Sequence, residues 1–209
     1  MAIEFWNELL TKESWEKLVQ FSKEYDFILI GGWAAYLWTH AHKSKDIDII
    51  VDLNTLNELK SKYDVSKNER MKKYEIKFEK FDIDIYLPFY SSLAIPAEDL
   101  QKYATKIEGI KTLKPEALLI LKQGAEIERR ESIKGKKDSI DILTLLIHSE
   151  IDFKEYSKLL KKYKLQNYAS ELKHVIANFN DKDIEYLGID FVKYKKFRKK
   201  MLERLKKLQ

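Results

Sequence analysis

The chain has 209 residues, 35% of them charged, a formal net charge of +5 and no cysteine. That length is enough to bury a real core in one domain or two small ones, and the lack of cysteine excludes a disulfide framework and a thiolate metal site. No apolar run approaches the roughly 20 residues of a membrane span, and the opening MAIEFWNELL lacks a basic region followed by an apolar core, so a cytoplasmic protein with no membrane partner is expected.

The N-terminal piece reads as a helix, with Thr11 as its N-cap and Trp15, Leu18, Val19 and Ser22 to Tyr25 along one stripe. Phe27 to Ile30 is a short apolar run of the buried-strand kind. Gly31 and Gly32 follow, and then a short helix from Trp33 to Thr39. A polar break from His40 to Lys45 ends that helix, and a second strand runs from Asp46 to Val51. Alternate side chains of a strand share a face, so Asp46 and Asp48 project together while Ile47 and Ile49 go to the other side. Two neighbouring carboxylates repel unless a cation lies between them. Mg²⁺ suits such a place, because it binds through one or two carboxylates and completes its shell with substrate phosphates and water. A glycine pair at a helix start lets the backbone approach a phosphate, and the free N–H groups of the helix terminus point at it. The stretch therefore reads as a triphosphate cradle facing a metal site. His40 and His42, between the two halves, have no evident third ligand and read as loop residues.

Further along, Asn54 is the expected cap of a helix through about Lys62 that carries Leu56 and Leu59. Tyr74, Ile76 and Phe78 alternate with charged residues as a half-buried strand does, and the alternation resumes out of phase at Phe81, Ile83 and Ile85, which makes Glu79-Lys80 a tight turn. The second arm, FDIDIYLP, places Asp82 and Asp84 on one face as candidates for a third carboxylate. Pro88 and Pro96 bracket a loop in which Phe89 and Tyr90, with Tyr86 just before it, offer aromatic faces either to a base or to packing. Ile107 to Leu113 reads as a further strand interrupted at Gly109. Pro115 opens a helix whose buried side is Leu118, Leu119, Leu121 and Ala125, with Lys122 on the same stripe. Asp138 and Asp141 lie one turn apart on the next helix, opposite Ile140, Leu143 and Ile147. Beyond Ser149 only helical patterns remain. The last of them sets Phe191, Tyr194, Phe197, Met201, Leu205 and Leu208 on a stripe, and Lys193 to Lys207 holds nine basic residues against one acidic, Glu203. Such a helix is either docked with a solvated basic face or a surface for nucleic-acid phosphates.

The run GGWAAYLWTHAHKSKDIDI resembles the signature of the nucleotidyltransferase superfamily, the group similar to DNA polymerase beta, and the resemblance covers about residues 25–148. It implies an α+β fold, a mixed β-sheet flanked by helices, within residues 1–148, and the change of pattern near Ser149 adds an α-helical region over 149–209. It also implies a nucleoside triphosphate substrate and two Mg²⁺ ions, one held by Asp46 and Asp48 and a second, which activates the attacking hydroxyl, by a third carboxylate. Asp84 is preferred for that third place because Ile83 to Leu87 resembles the family pattern of one Asp in an apolar strand; Asp82 is the alternative. Gly31 and Gly32 would cradle the phosphates. A second stretch, Lys122 followed by Lys137-Asp138-Ser139-Ile140-Asp141, resembles the minimal nucleotidyltransferases that include AbiEii-like toxins of toxin–antitoxin systems. That branch implies Lys122 on the triphosphate, with Asp138 and Asp141 orienting groups near it. It also implies Lys45 in a place where an arginine is usual, and an antitoxin partner; the basic C-terminal helix favours RNA, such as a tRNA end, as the acceptor. Two readings stand beside this one: transfer to a small molecule or protein, and a non-catalytic member that binds nucleic acid or protein.

Overall fold

The computed structural model describes residues 8–207. It forms two compact units, residues 1–114 and 115–209. The first is built on the alternation of isoleucine with polar residues in its central strands. Ile47 and Ile49 of β2 (Ile47–Ile50) and Ile83 and Ile85 of β5 (Asp82–Tyr86) are fully buried. With period 2, the residues between them must take the opposite face. β1 (Ile28–Ile30) is buried along its whole length. β3 (Val65–Asn68), β4 (Lys73–Lys77), β6 (Ala104–Ile107) and β7 (Ile110–Leu113) complete a seven-stranded sheet of order β3-β4-β5-β2-β1-β7-β6. β2 and β5 run parallel, as do β1 and β7, and the remaining neighbours are antiparallel. The sheet is thus mixed, and with its flanking helices the fold is α+β.

Among its described residues this unit has the α-helices α1 (Glu8–Glu24), α2 (Gly31–Thr39) and α3 (Leu53–Lys62) and a 3₁₀ helix (Ala97–Tyr103). α2 packs on β1 and β2 through Trp33, Ala34 and Leu37, and α1 reaches β7. Several details differ from the sequence reading. Thr11 lies inside α1, buried on the stripe of Ser14, Leu18 and Phe21, and is not its cap. α3 is capped by Asp52, not Asn54, because the Asp52 carboxylate accepts from Thr55 N at 2.7 Å. β3 was not expected at all, since its four residues, VSKN, are too polar to read as a strand. The segment from Ile107 to Leu113 is not one interrupted strand but the turn and second arm of a hairpin. Glu108 (φ 50°) and Gly109 (φ 81°) give the two left-handed residues of a tight β-turn between β6 and β7. The Glu79-Lys80 turn is as expected, closed by Phe78 N donating to Phe81 O at 3.0 Å with the two rings stacked at 4.8 Å.

The second unit is helical: α4 (Pro115–Arg129), α5 (Ile133–His148), α6 (Phe153–Lys162), α7 (Tyr168–Asn178), a 3₁₀ turn (Asp181–Leu187) and α8 (Phe191–Lys206). The division therefore falls at Lys114–Pro115, ahead of the change in sequence pattern at 148–149, so α4 and α5 belong with the C-terminal helices. Leu121 and Ala125 are only half-buried, while Lys122, Gln123 and Glu126 are buried in their stead. On α8 the buried residues are Tyr194, Met201 and Leu205; Phe191 is exposed, and Leu208 lies outside the described residues. No helix among the described residues is long and apolar enough to cross a membrane.

The turn between α4 and α5 depends on Gly135, where an added Cβ would lie 2.1 Å from the Arg129 carbonyl oxygen. That oxygen is backbone and cannot swing aside. Gly135→Ala should therefore destabilise the helical unit by about 1–3 kcal/mol, the usual cost of overpacking, seen as a lowered urea midpoint.

Candidate active site

β1 ends at Ile30, and α2 begins at once with Gly31, whose φ is +70°. An added Cβ at Gly31 would sit 2.0 Å from Asp48 Oδ2. Both backbone conformation and space therefore demand glycine. The N-cap residue, Ile30, has no side chain able to cap, and the first turn carries no acidic residue. The N-terminus of α2, where backbone N–H groups lack intrahelical partners, thus opens beside the Asp48 carboxylate, and its partial positive charge favours an anion there.

Strand register builds the rest. Asp48 is paired with Ile30 on one side and with Asp84 on the other, and Asp84 in turn faces Glu75 of β4. Directly paired residues share a face, so Asp48, Asp84 and Glu75 form a row across three adjacent strands. Asp46 stands just ahead of β2, and its Oδ1 accepts from the backbone N–H of Asp82 at 3.3 Å. The Tyr86 hydroxyl donates to Asp48 Oδ1 at 3.4 Å. Lys73, at the start of β4, places its ammonium 2.6 Å from Asp84 Oδ2 and 3.1 Å from Glu75 Oε1, while Asn68 donates to Glu75 Oε1 at 2.8 Å.

These contacts set the charges. Burial, and then the negative charge of Asp48, push the Asp84 carboxyl up to about 6, against the opposing pull of Lys73. Burial also acts against ionisation of Glu75, but the hydrogen bonds from Asn68 and Lys73 outweigh it and hold that carboxyl below its ordinary value. For Lys73, too, burial favours the neutral form, and the bond to Asp84 overrides it and raises the ammonium. The row is therefore anionic, with one lysine set between its second and third members.

The residues expected from sequence fall into two groups. Gly31, Asp46, Asp48 and Asp84 converge in the sheet unit, with Gly32 buried in the first turn of α2 and Lys45 exposed one residue before Asp46. Asp84, not Asp82, is the residue in register with Asp48; Asp82 keeps to Asp46 through its backbone. Lys122 belongs to the helical unit. Its ammonium lies 2.6 Å from Asp141 Oδ2 and 3.4 Å from Asp138 Oδ1, and Arg129 Nε is 2.6 Å from Asp138 Oδ2. The sequence pattern that joins Lys122 to Asp138 and Asp141 is thus a spatial cluster. Lys73 and Glu75 escaped sequence reading. The alternation in KYEIK places both on one face, but only the pairing of Glu75 with Asp84 shows which face that is. His40 ends α2 and lies 3.8 Å from Glu108.

Among the described residues no group of three His, Asp or Glu side chains is assembled as a ready metal cage. Carboxylates in this number and of this hardness fit Mg²⁺ that takes its other ligands from phosphates, and they do not fit a resident ion held by protein alone.

No protein-family model and no curated protein matches the sequence. Solved structures do. JHP933 from Helicobacter pylori superposes with a TM-score of 0.53 at 17% identity, over 97% of this chain and 95% of that one. A proposed nucleotidyltransferase from H. pylori gives a TM-score of 0.52 at 16% identity, over 100% of this chain and 99% of that one. The fold is nucleotidyltransferase-like. At such identities it is the fold that is shared.

The carboxylate row makes a prediction of its own. In the metal-free protein, ¹³C NMR of labelled aspartate should show Asp84 titrating near pH 6. Lys73→Met removes the group that holds the value down and should move the midpoint higher; Asp48→Ala removes a charge that raises it and should move the midpoint lower.

Proposed function

We propose that the chain is a Mg²⁺-dependent nucleotidyltransferase that moves a nucleotidyl group from a nucleoside triphosphate to an acceptor hydroxyl, with RNA as the acceptor. The observation that carries this reading is the in-register pair Asp48–Asp84 beside the glycine start of α2. The backbone N–H groups at Gly31 and Gly32 bind and orient the phosphates, and Lys45 adds positive charge from the segment leading into Asp46. Asp46 and Asp48 would hold the ion on the triphosphate, and Asp84 a second. When bound, Mg²⁺ neutralises phosphate charge and lowers the pKa of the attacking hydroxyl. The acceptor oxygen forms a bond to the α-phosphorus, the bond to pyrophosphate breaks, and the hydroxyl proton is lost. That proton passes to water, and Asp84, as a ligand of the second ion, would act through that ion.

Two features support the finer reading. The Lys122–Asp138–Asp141 cluster is the one through which the chain resembles AbiEii-like toxins, and on that reading an antitoxin is the partner. The outer face of α8 exposes Lys195, Lys196, Lys199 and Lys200 while Tyr194 and Met201 anchor the inner face, an arrangement that suits RNA phosphates.

The test is to incubate the protein with each labelled nucleoside triphosphate, Mg²⁺ and total RNA, and to find what becomes labelled. Asp48→Ala should cut transfer about a thousandfold, the equivalent of several kcal/mol of lost charge stabilisation, with the circular dichroism spectrum unchanged. Undiminished transfer in that variant would remove the assignment. Replacing Lys195, Lys196, Lys199 and Lys200 with Gln should weaken RNA binding and flatten its salt dependence, with triphosphate binding intact. Label on a small molecule or protein, with RNA bare, would replace RNA as the acceptor.

A further inference from the structure

Phe89 follows β5 by three residues and is 89% exposed, with φ at +61°. A bulky side chain gains nothing from such exposure, and the left-handed region costs it backbone energy. Nor is the residue loose. Its N–H donates to Glu98 Oε2 at 3.1 Å, and the loop is closed on both sides by Ser91 N to Leu87 O at 3.0 Å and Leu87 N to Ser91 Oγ at 3.0 Å. The ring is held out into solvent by its own loop.

The same serine ties this loop to the turn between β3 and β4, since Ser91 Oγ donates to Lys72 O at 2.7 Å. Lys72 is another non-glycine residue with a left-handed backbone, φ +50°. The ammonium groups of Lys67 and Lys72 lie 5.1 and 5.7 Å from the centre of the Tyr90 ring, adjacent in sequence to Phe89. Arg70, on the same turn, is exposed. The exposed Phe89 ring is thus next in sequence to a ring flanked by two lysines, of which Lys67 also pairs with Glu69 at 2.7 Å. An exposed ring with cations close by is the combination that holds unpaired nucleic acid: the ring stacks on a base of any identity and the cations take the phosphates. An apolar protein surface would meet these charges at a loss.

We propose that Phe89, with Lys67 and Lys72, grips an unpaired stretch of single-stranded nucleic acid and that this is where the acceptor strand is held. Strand β5 also connects the grip to the chemistry. Phe89 is five residues beyond Asp84, at most roughly 18 Å at about 3.6 Å per fully extended residue, a span of a few nucleotides. The role as acceptor grip rests on the nucleotidyl-transfer reading; the binding itself does not.

The test uses binding without chemistry. In full-length protein carrying Asp48→Ala, without triphosphate or Mg²⁺, fluorescence anisotropy measures affinity for labelled oligoadenylate RNA and for an abasic strand of equal length. Phe89→Ala should weaken oligoadenylate binding about tenfold, the size of one lost base stack, and leave the abasic strand unaffected; Phe89→Trp should restore it. Lys67→Gln with Lys72→Gln should weaken both strands and flatten the salt dependence. Equal affinity in parent and Phe89→Ala protein, or no affinity in the parent, overturns the grip. So does a change from dimer to monomer on Phe89→Ala in sedimentation, which would give the ring to a contact between chains. Transfer to another acceptor without RNA binding would overturn the grip and leave the transferase; Phe89-dependent binding with no transfer to anything would do the reverse.

Discussion

Asp48 and Asp84 lie side by side because the isoleucines around them leave no other choice. Ile47, Ile49, Ile83 and Ile85 are fully buried on one face of the sheet, and a slip of one residue in either strand would send all of them to the other face. Hydrophobic burial thus fixes the register, and the register brings two carboxylates together against their mutual repulsion. The cost appears in Asp84, whose carboxyl is pushed up to about 6 by burial and by its neighbour. Lys73 relieves that cost only in part. A site under this electrostatic load is ready for positive charge before any ligand arrives.

The glycine start of α2 is the second half of the same arrangement. Since a Cβ at Gly31 would fall on Asp48 Oδ2, the helix terminus and the carboxylate are as close as a backbone without a side chain permits. The positive end of the helix and the negative row therefore meet at one point. An incoming group that carries both phosphate oxygens and a bound cation is complementary to the two together, whereas either charge alone would be opposed by one of them.

How much of this was legible in the sequence follows from the range of each interaction. Local signals were sufficient for the central elements: a short apolar run, two glycines, a brief helix and Asp-x-Asp determine β1, α2 and β2, and the phase break at Glu79-Lys80 locates the turn before β5. The caps were less legible because Asp52 and Asn54 are both good capping residues two positions apart, and only the geometry shows which one receives Thr55 N. β3 was invisible because an edge strand with one exposed face needs no apolar alternation. Lys73 and Glu75 were missed for a different reason. Their importance arises from pairing with β5, a contact between strands that no single segment encodes. Lys122 shows the reverse case: Asp138 and Asp141 were picked out together with it, and the three lie within ion-pair distance in the helical unit.

The order of strands has a further consequence, at the sheet's two margins. β3 and β6 are the edges, each four residues long, and each carries an exposed lysine at its third place, Lys67 and Lys106. A short edge offers an incoming strand few backbone hydrogen bonds, and a lysine at its middle makes the approach of another such edge repulsive. Both margins are in this way protected against open-ended stacking of one molecule on the next, a hazard for any sheet whose centre is so rich in isoleucine.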